Sequence, residues 1–249
     1  MKTSLNQQEI DNFSKDSAHW WDVDGPFAPL HKLNPTRMHY IKEQIVQHYD
    51  LEQKKNFAPL SPLKGLTVAD IGCGGGLVSE SLARMGAQTC GLDADTNAIN
   101  VARNHANEQD LKINYQNCTA EDFLNQDKTR FDVVCALEII EHVDNPDFFV
   151  ETVLGLVKPG GLLILSTLNR TIKSAALGIF AAEYILGLVP KGTHTHSKFM
   201  KPSEIGALLR QNDAHCVDVT GLKYSVKDND FTLDKKDLSV NYFITAQRT

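Results

Sequence analysis

The segment ADIGCGGG, from Ala69 to Gly76, decides the fold. Before it, the β-branched apolar run LTVADI (66–71) reads as a short strand ending near Asp70. After it, LVSESLARMG (77–86) reads as a helix with Gly86 as its C-cap. A strand that breaks into glycines and restarts as a helix opens a βα unit. Open α/β sheets bind their ligands at the carboxyl ends of such strands, near a topological switch. Asp93 closes the next strand, QTCGLD (88–93), about 20 residues past Gly72, where a ribose diol needs a hydrogen-bond acceptor. A dinucleotide site calls for G-x-G-x-x-G. Here the glycines fall at 72, 74 and 76, and Leu77 takes the place of the third. The plain alternative is a turn that only packs strand on helix; the agreement of strand, loop, helix and acid speaks against it.

Outward from this unit the chain keeps alternating. TNAINVARNHANEQ (96–109) reads as a helix, and KINYQNC (112–118), RFDVVCAL (130–137) and GLLILST (161–167) as strands. The helix NPDFFVETVLGLV (145–157) lies between the last two and leaves through the turn Lys158-Pro159-Gly160-Gly161. Such alternation predicts a mostly parallel sheet with helices on both faces. After Ser166 the rhythm breaks. Residues 169–201 form an insert, a helix runs from Pro202 to about Gln211, and AHCVDVT (214–220) and LSVNYFITAQR (238–248) close the chain around a polar hairpin, predicting an antiparallel edge. At the N-terminus, Ser4 with Gln7 reads as a capping box, with Ile10, Phe13 and Ser17 at helical spacing. An aromatic loop, HWWDVDGPFAPLHKL (19–33), follows, and then a second helix with Asn34 as N-cap and Pro35 in first position. The expected organisation is one domain over 1–249: a helical lid (1–60), an α/β cofactor core (64–168), an apolar helical insert (169–201), and a C-terminal helix with edge strands (202–249).

Composition narrows the partners. Of 249 residues, 42% are hydrophobic and 22% charged, a globular balance. The net charge of −6 gives no hint of a basic face for nucleic acid. The five cysteines are scattered with no C-x-x-C pair, which suits a reducing compartment better than a disulfide framework or a zinc site. The first residues hold no apolar signal core. The apolar run between Lys173 and Lys191 contains Glu183 and two glycines and falls short of the about 20 residues a spanning helix needs. The expectation is a cytoplasmic protein that touches a membrane at most peripherally, at the inner face. Within the insert, Ile179, Ala182, Tyr184, Ile185, Leu188 and Val189 share one broad helical side. That side either covers the sheet edge, accepts a long apolar substrate tail or docks on a bilayer surface.

LEIIEHV (137–143) places Leu137 at the end of the fourth strand, where its backbone should face a ligand across the crevice, and Glu138, Glu141 and His142 just beyond. In a helix, i, i+3 and i+4 share a face. Two chemistries fit. In one, His142 accepts the proton of a substrate hydroxyl while a carboxylate orients its imidazole. In the other, the two carboxylates and the imidazole hold a divalent cation such as magnesium, which lowers the hydroxyl pKa. Capping and packing is the plain alternative. Arg37, on the second helix, carries a guanidinium able to clamp a carboxylate in two parallel bonds, although most such arginines are solvated surface groups. His194 and His196 lie in the insert; Trp20, Trp21 and Phe27 are placed to close the site and exclude water.

The glycine loop, its flanking Asp70 and the distant Asp93 together resemble the class I methyltransferase site for S-adenosylmethionine. The whole chain further resembles the ubiquinone-biosynthesis O-methyltransferases. The carriers are HWWDVDGPFAPLHKLNPTRMHYI (19–41), ADIGCGGGLVSESLARMGA (69–87), GLDAD (91–95), LEIIEHVDNPDFF (137–149), STLNR (166–170), AAEYILGLVPKGTH (181–194) and VNYF (240–243). The resemblance implies a Rossmann-like class I fold and transfer of the S-adenosylmethionine methyl to a phenolic hydroxyl of a polyprenylated catechol and of demethylubiquinol. It implies cofactor binding by Arg37, Gly72, Asp93 and Leu137, with Gly74 and Asp70 beside them. Glu138, Glu141 and His142 match positions assigned to a divalent cation in part of the family. Lipid and other enzymes of the pathway become candidate peripheral partners. Two positions depart from the family pattern: Leu137 stands where methionine is common, and Thr195 where an aspartate often follows the histidine at 194. A nicotinamide-dependent oxidoreductase, a methyltransferase for another small molecule and a non-catalytic module on the same fold are the rival readings.

Overall fold

The computed structural model describes residues 3–4, 6–175, 196–225 and 227–249, apart from the side chains of Asn12 and Phe13. The strands are β1 (Thr67–Ile71), β2 (Gln88–Asp93), β3 (Asn114–Asn117), β4 (Phe131–Leu137), β5 (Val157–Leu168), β6 (Ala214–Ser225), β7 (Asp230–Asp234) and β8 (Asn241–Arg248). They form a sheet of order β3-β2-β1-β4-β5-β8-β6-β7. The first five in that order run parallel, and β8 lies antiparallel between β5 and β6. β7 pairs antiparallel on β6, giving the expected antiparallel edge.

Both faces of the sheet are covered at its centre, which explains why β1, β4 and the body of β5 are buried and mostly apolar rather than alternating with polar residues. The period-two geometry of a strand then sorts neighbours onto opposite cores. Val133, Cys135, Leu162, Ile164 and Phe243 pack with α2 (Ala28–His48) and α3 (Leu77–Arg84) on one face. Val134, Ala136, Leu163, Leu165 and Ile244 pack with α5 (Ala120–Gln126), α6 (Pro146–Leu156) and α7 (Pro202–Gln211) on the other. α4 (Thr96–Glu108) closes a smaller cluster of Cys73, Ile99, Ala102 and Tyr115.

Several local readings change. α1 spans Gln7–Ser14 and is capped by Asn6, whose Oδ1 accepts from the Glu9 amide at 3.1 Å. Ser4 is drawn away because the Glu121 carboxylate accepts from its amide at 2.9 Å and from its hydroxyl. α2 begins at Ala28, not Asn34, since Pro29 already fills the first-turn position where a missing N–H costs nothing. Pro35 therefore sits inside the helix, and Asn34 Nδ2 donates to Ser81 Oγ at 3.0 Å. Burial of Leu33, Met38, Ile41 and Ile45 outweighs the hydrogen bond that the proline removes. Of the segment read as a lid, α2 packs in the core, and the chain before it lies at the carboxyl ends of β2 and β4. Lys158–Gly161 is not an exit turn but part of β5, where the register with β4 shifts and Gly160 takes φ +77°. The apolar side between residues 179 and 189, His194 and Thr195 lie outside the described residues. Among the described residues no helix is long and apolar enough to cross a membrane.

Candidate active site

At the carboxyl ends of β1, β2 and β4 lies a cavity of about 580 Å³. Arg37, Asp70, Gly72, Gly74, Asp93, Leu137, Glu138, Glu141 and His142 all line it. These nine candidates from the sequence are thus brought to one chamber.

The glycine loop is shaped by what packs on it. Gly74 has φ +52°, and a Cβ there would run into the indole of Trp20. Gly72 has φ +67°, and a Cβ would strike Ile139. Only glycine combines that backbone with so close an approach. Asp93 staples the loop: its Oδ2 accepts from the Gly74 amide and its Oδ1 from the Asp95 amide, both at 2.8 Å. Burial pushes the Asp93 carboxyl up, partly opposed by these amides. Each oxygen keeps a second lone pair for a ligand hydroxyl. Asp70 is buried, accepts from Ser79 Oγ at 2.6 Å, and is pushed up to about 6 by burial, against the pull of Ser79 and Arg37.

Arg37 is the least ordinary group. It is only 5% exposed, and its Nε has no hydrogen-bond partner. Burial lowers its pKa, while the fields of Glu138, Asp70 and Glu141 oppose that shift. An orphaned Nε leaves a buried charged donor without an acceptor, which is costly.

The Glu-Glu-His cluster does not form the helical face expected. Ile140–His142 is a single 3₁₀ turn, and Glu138 itself has φ +55°. A left-handed, non-glycine residue beside a cavity is strain held by its surroundings. Glu138 is held by its own amide donating to Ser166 O at 2.9 Å, by Ser166 Oγ at 2.6 Å, and by Asn241 Nδ2 at 3.1 and 3.2 Å. Glu141 instead accepts from Thr167 Oγ1 at 2.8 Å, and His142 Nδ1 meets Glu9 Oε2 at 3.2 Å. The three side chains thus point to three different partners. Among the described residues no group of three His, Cys, Asp or Glu is gathered to hold a metal ion. The donor set read for a divalent cation does not fit one as it is arranged here.

The carboxylate that orients the imidazole is therefore Glu9, which sequence reasoning missed. Burial alone would lower the His142 pKa, but the Glu9 hydrogen bond and the charges of Glu141, Glu9 and Glu138 outweigh it and raise it. The N-terminal segment around α1 is strapped across the cavity at further points: Ser14 and Ser17 donate to Asp95 at 3.0 and 2.7 Å, and Asn6 to Asp144 at 2.8 Å. Trp20 and Phe27, stacked at 3.9 Å, line the cavity as expected. Trp21 turns outward, stacking on His105 at 3.5 Å and donating to Gly75 O at 3.0 Å.

Burial and the neighbouring Glu138 raise the pKa of Glu141 from its ordinary 4.5. A carboxyl with a raised folded-state pKa binds its proton more tightly folded than unfolded, so this group's contribution to stability falls as pH climbs from about 4.5 toward neutrality. Glu141→Gln should therefore stabilise the protein at pH 8, by of order 1–3 kcal/mol, and have little effect near pH 4. Melting temperatures at the two pH values check this; an equal change at both would contradict it.

A family model described as a methyltransferase domain matches residues 42–219. Ubiquinone biosynthesis O-methyltransferase from Sinorhizobium medicae is 42% identical over 247 residues, covering 99% of this chain and 97% of the relative. That from Bartonella bacilliformis is 44% identical with the same coverage. Among solved structures, magnesium protoporphyrin IX methyltransferase from Synechocystis PCC 6803 with bound SAM superposes with a TM-score of 0.62 at 18% identity over the full length of both chains. The plantazolicin methyltransferase BpumL in complex with SAH superposes with a TM-score of 0.57 at 18% identity, covering 98% of this chain and 99% of that one. These two likenesses concern the fold alone, and it is the class I methyltransferase fold.

Proposed function

The chain belongs to the ubiquinone biosynthesis O-methyltransferase family, and on that premise we propose how its own residues carry out the reaction. It is an S-adenosylmethionine-dependent O-methyltransferase that acts on a phenolic hydroxyl of polyprenylated catechol and demethylubiquinol in ubiquinone biosynthesis. S-adenosylmethionine supplies an electrophilic sulfonium methyl, open to in-line attack by the phenolic oxygen.

The observation that supports the site assignment is the presence, in one cavity, of a buried guanidinium whose Nε lacks an acceptor and a loop-stapling carboxylate. Arg37 holds the amino-acid carboxylate of the cofactor. Asp93 accepts from its ribose hydroxyls, the backbone of Gly72 and Gly74 admits it closely, and Leu137 faces it from β4. Asp70 fixes the first turn of α3 through Ser79. His142 accepts the phenolic proton. Its Nδ1–H faces Glu9, which leaves Nε2 as the basic nitrogen of the neutral ring. Glu138 and Glu141 supply the negative field that stabilises the imidazolium so formed. Placement of two bound reactants accounts for most of the acceleration, about 7–11 kcal/mol where orientation is good. No step is assigned to a divalent cation, because its three expected donors are engaged with Ser166 and Asn241, with Thr167 and with Glu9. Contact of the insert with lipid or with other enzymes of the pathway rests on its apolar sequence alone.

Calorimetric titration with S-adenosylmethionine, S-adenosylhomocysteine and NAD tests the reading, followed by incubation of labelled cofactor with a prenylated catechol. Heat with the first two, none with NAD, and a labelled methyl ether are expected; the reverse pattern would return the oxidoreductase, which Leu77 disfavours. Arg37→Met should weaken S-adenosylmethionine by about 2–3 kcal/mol, one to two powers of ten, through loss of charge-assisted bonds. Methylthioadenosine, which lacks the carboxylate, should bind the variant as it binds the parent. Equal loss for both ligands would remove Arg37 from the carboxylate site.

A further inference from the structure

Asn34 Oδ1, Arg37 Nε, Tyr115 Oη and Asn241 Oδ1 are the buried side-chain atoms that lack a hydrogen-bond partner among the described residues. Arg37 and Asn241 line the cavity. The cofactor carboxylate accounts for the first. Nothing yet accounts for Asn241, which sequence reading passed over although it lies in the VNYF segment.

The orientation of the Asn241 amide is not arbitrary. Its Nδ2 donates to both oxygens of Glu138, and a carboxylate only accepts. Flipping the amide would set acceptor against acceptor, so the carbonyl oxygen is the group left unpaired. A buried acceptor without a donor is unfavourable, and a hydrogen-bond donor belongs opposite it.

Position says which donor. Asn241 opens β8, opposite Leu168 of β5 on one side and Leu222 of β6 on the other. It stands three strands from β1, about 14 Å at the usual spacing between strands, while the nucleoside-holding groups lie on β1 and β2. Glu138 stands between these two halves. Leu168, Leu222, Tyr224 and Phe231 line the cavity on the Asn241 side, a wall suited to an aromatic ring with an apolar substituent. Ser166 and the strained backbone of Glu138 hold the Asn241–Glu138 pair in place.

We propose that the Asn241 side-chain carbonyl accepts a hydrogen bond from the second ring hydroxyl of the catechol, the one not methylated, and thereby selects which of two neighbouring oxygens meets the methyl group. Asn241 is a specificity-determining residue in this account, which rests on the methyltransferase reading above. Only hydrogen bonds change; the transferred methyl and the departing proton follow the route already given.

The test uses the full chain with a short-chain prenylated catechol and the matching phenol that lacks the neighbouring hydroxyl. Binding of each is measured with S-adenosylhomocysteine present, and the position of the methyl group in the catechol product is read by NMR. Asn241→Ala, which removes both the carbonyl and the Nδ2 tie on Glu138, should weaken the catechol ~3–10-fold more than the phenol, leave S-adenosylmethionine affinity unchanged, and divide the product between the two oxygens. Ser166→Ala, which cuts another tie on Glu138 but keeps the carbonyl, should alter both substrates alike. Equal weakening of catechol and phenol by Asn241→Ala would reduce the residue to a support for Glu138 and overturn the proposal. Loss of cofactor affinity would give the carbonyl to the cofactor's ammonium group and overturn it equally. Wild-type protein that binds catechol and phenol with the same affinity would overturn it without any variant. Wild-type protein that methylates neither would instead defeat the reading on which the proposal stands.

Discussion

Asp93→Ala is expected to lower S-adenosylmethionine affinity by roughly 10²–10³-fold while the protein stays folded. Two contributions add. The diol loses a charged acceptor on both of its hydroxyls, and hydrogen bonds to charged groups are the stronger kind. The Gly74 and Asp95 amides also lose their partner, so the turn that the cofactor enters is no longer stapled. The loss should extend to methylthioadenosine, because that ligand keeps the ribose. Here Asp93→Ala parts from Arg37→Met, which spares it. Folding should survive because the core that closes β2 is made by Cys90 and Leu92, not by the carboxylate. Calorimetry with both ligands decides the matter; retained affinity for either would sink the ribose role.

His142→Ala should cut turnover by ~10²–10⁴-fold and leave cofactor affinity nearly intact, as expected when a positioned base is removed and the binding groups remain. A base must be neutral to accept a proton, so kcat rises with pH through the His142 pKa. Burial opposes that pKa, but Glu9 on α1, Glu141 on the same turn and Glu138 at the end of β4 raise it above 6.5. Lys198 is the cation beside this group, 3.8 Å from Glu9. The acidic limb of the pH profile should therefore lie above 6.5 in the parent. Single-turnover rates over pH 5–9 supply the measurement. A parent limb below that value, or unchanged turnover in the variant, would move the proton acceptance elsewhere.

The two readings drawn from His142 and Glu138 show where inference from residues stops. Reading 138–142 as one helical turn predicted a shared face; the chain instead turns left-handed at Glu138 and makes one 3₁₀ turn. The local sequence carries no signal for this, because the conformation is imposed by Ser166 and by Asn241, 103 residues away. The orienting carboxylate was expected within the cluster. It comes from Glu9, 133 residues earlier, on a helix whose cap was also misassigned since Ser4 is captured by Glu121. At α2 the asparagine-proline pair was a sound helix-start signal in isolation, but packing of Leu33 and its neighbours against the sheet carried the helix through it.

What the residues alone specify here is the α/β layering, the position of the glycine turn and the acid at the end of β2. Those follow from burial period and turn chemistry, which are properties of short stretches of chain. Folding adds the pairings across the cavity: a buried arginine whose Nε lacks an acceptor, an imidazole turned by a distant carboxylate, and a buried asparagine carbonyl left without a donor. Those depend on which strand ends and helices meet, and no local pattern records the identity of a partner a hundred residues away.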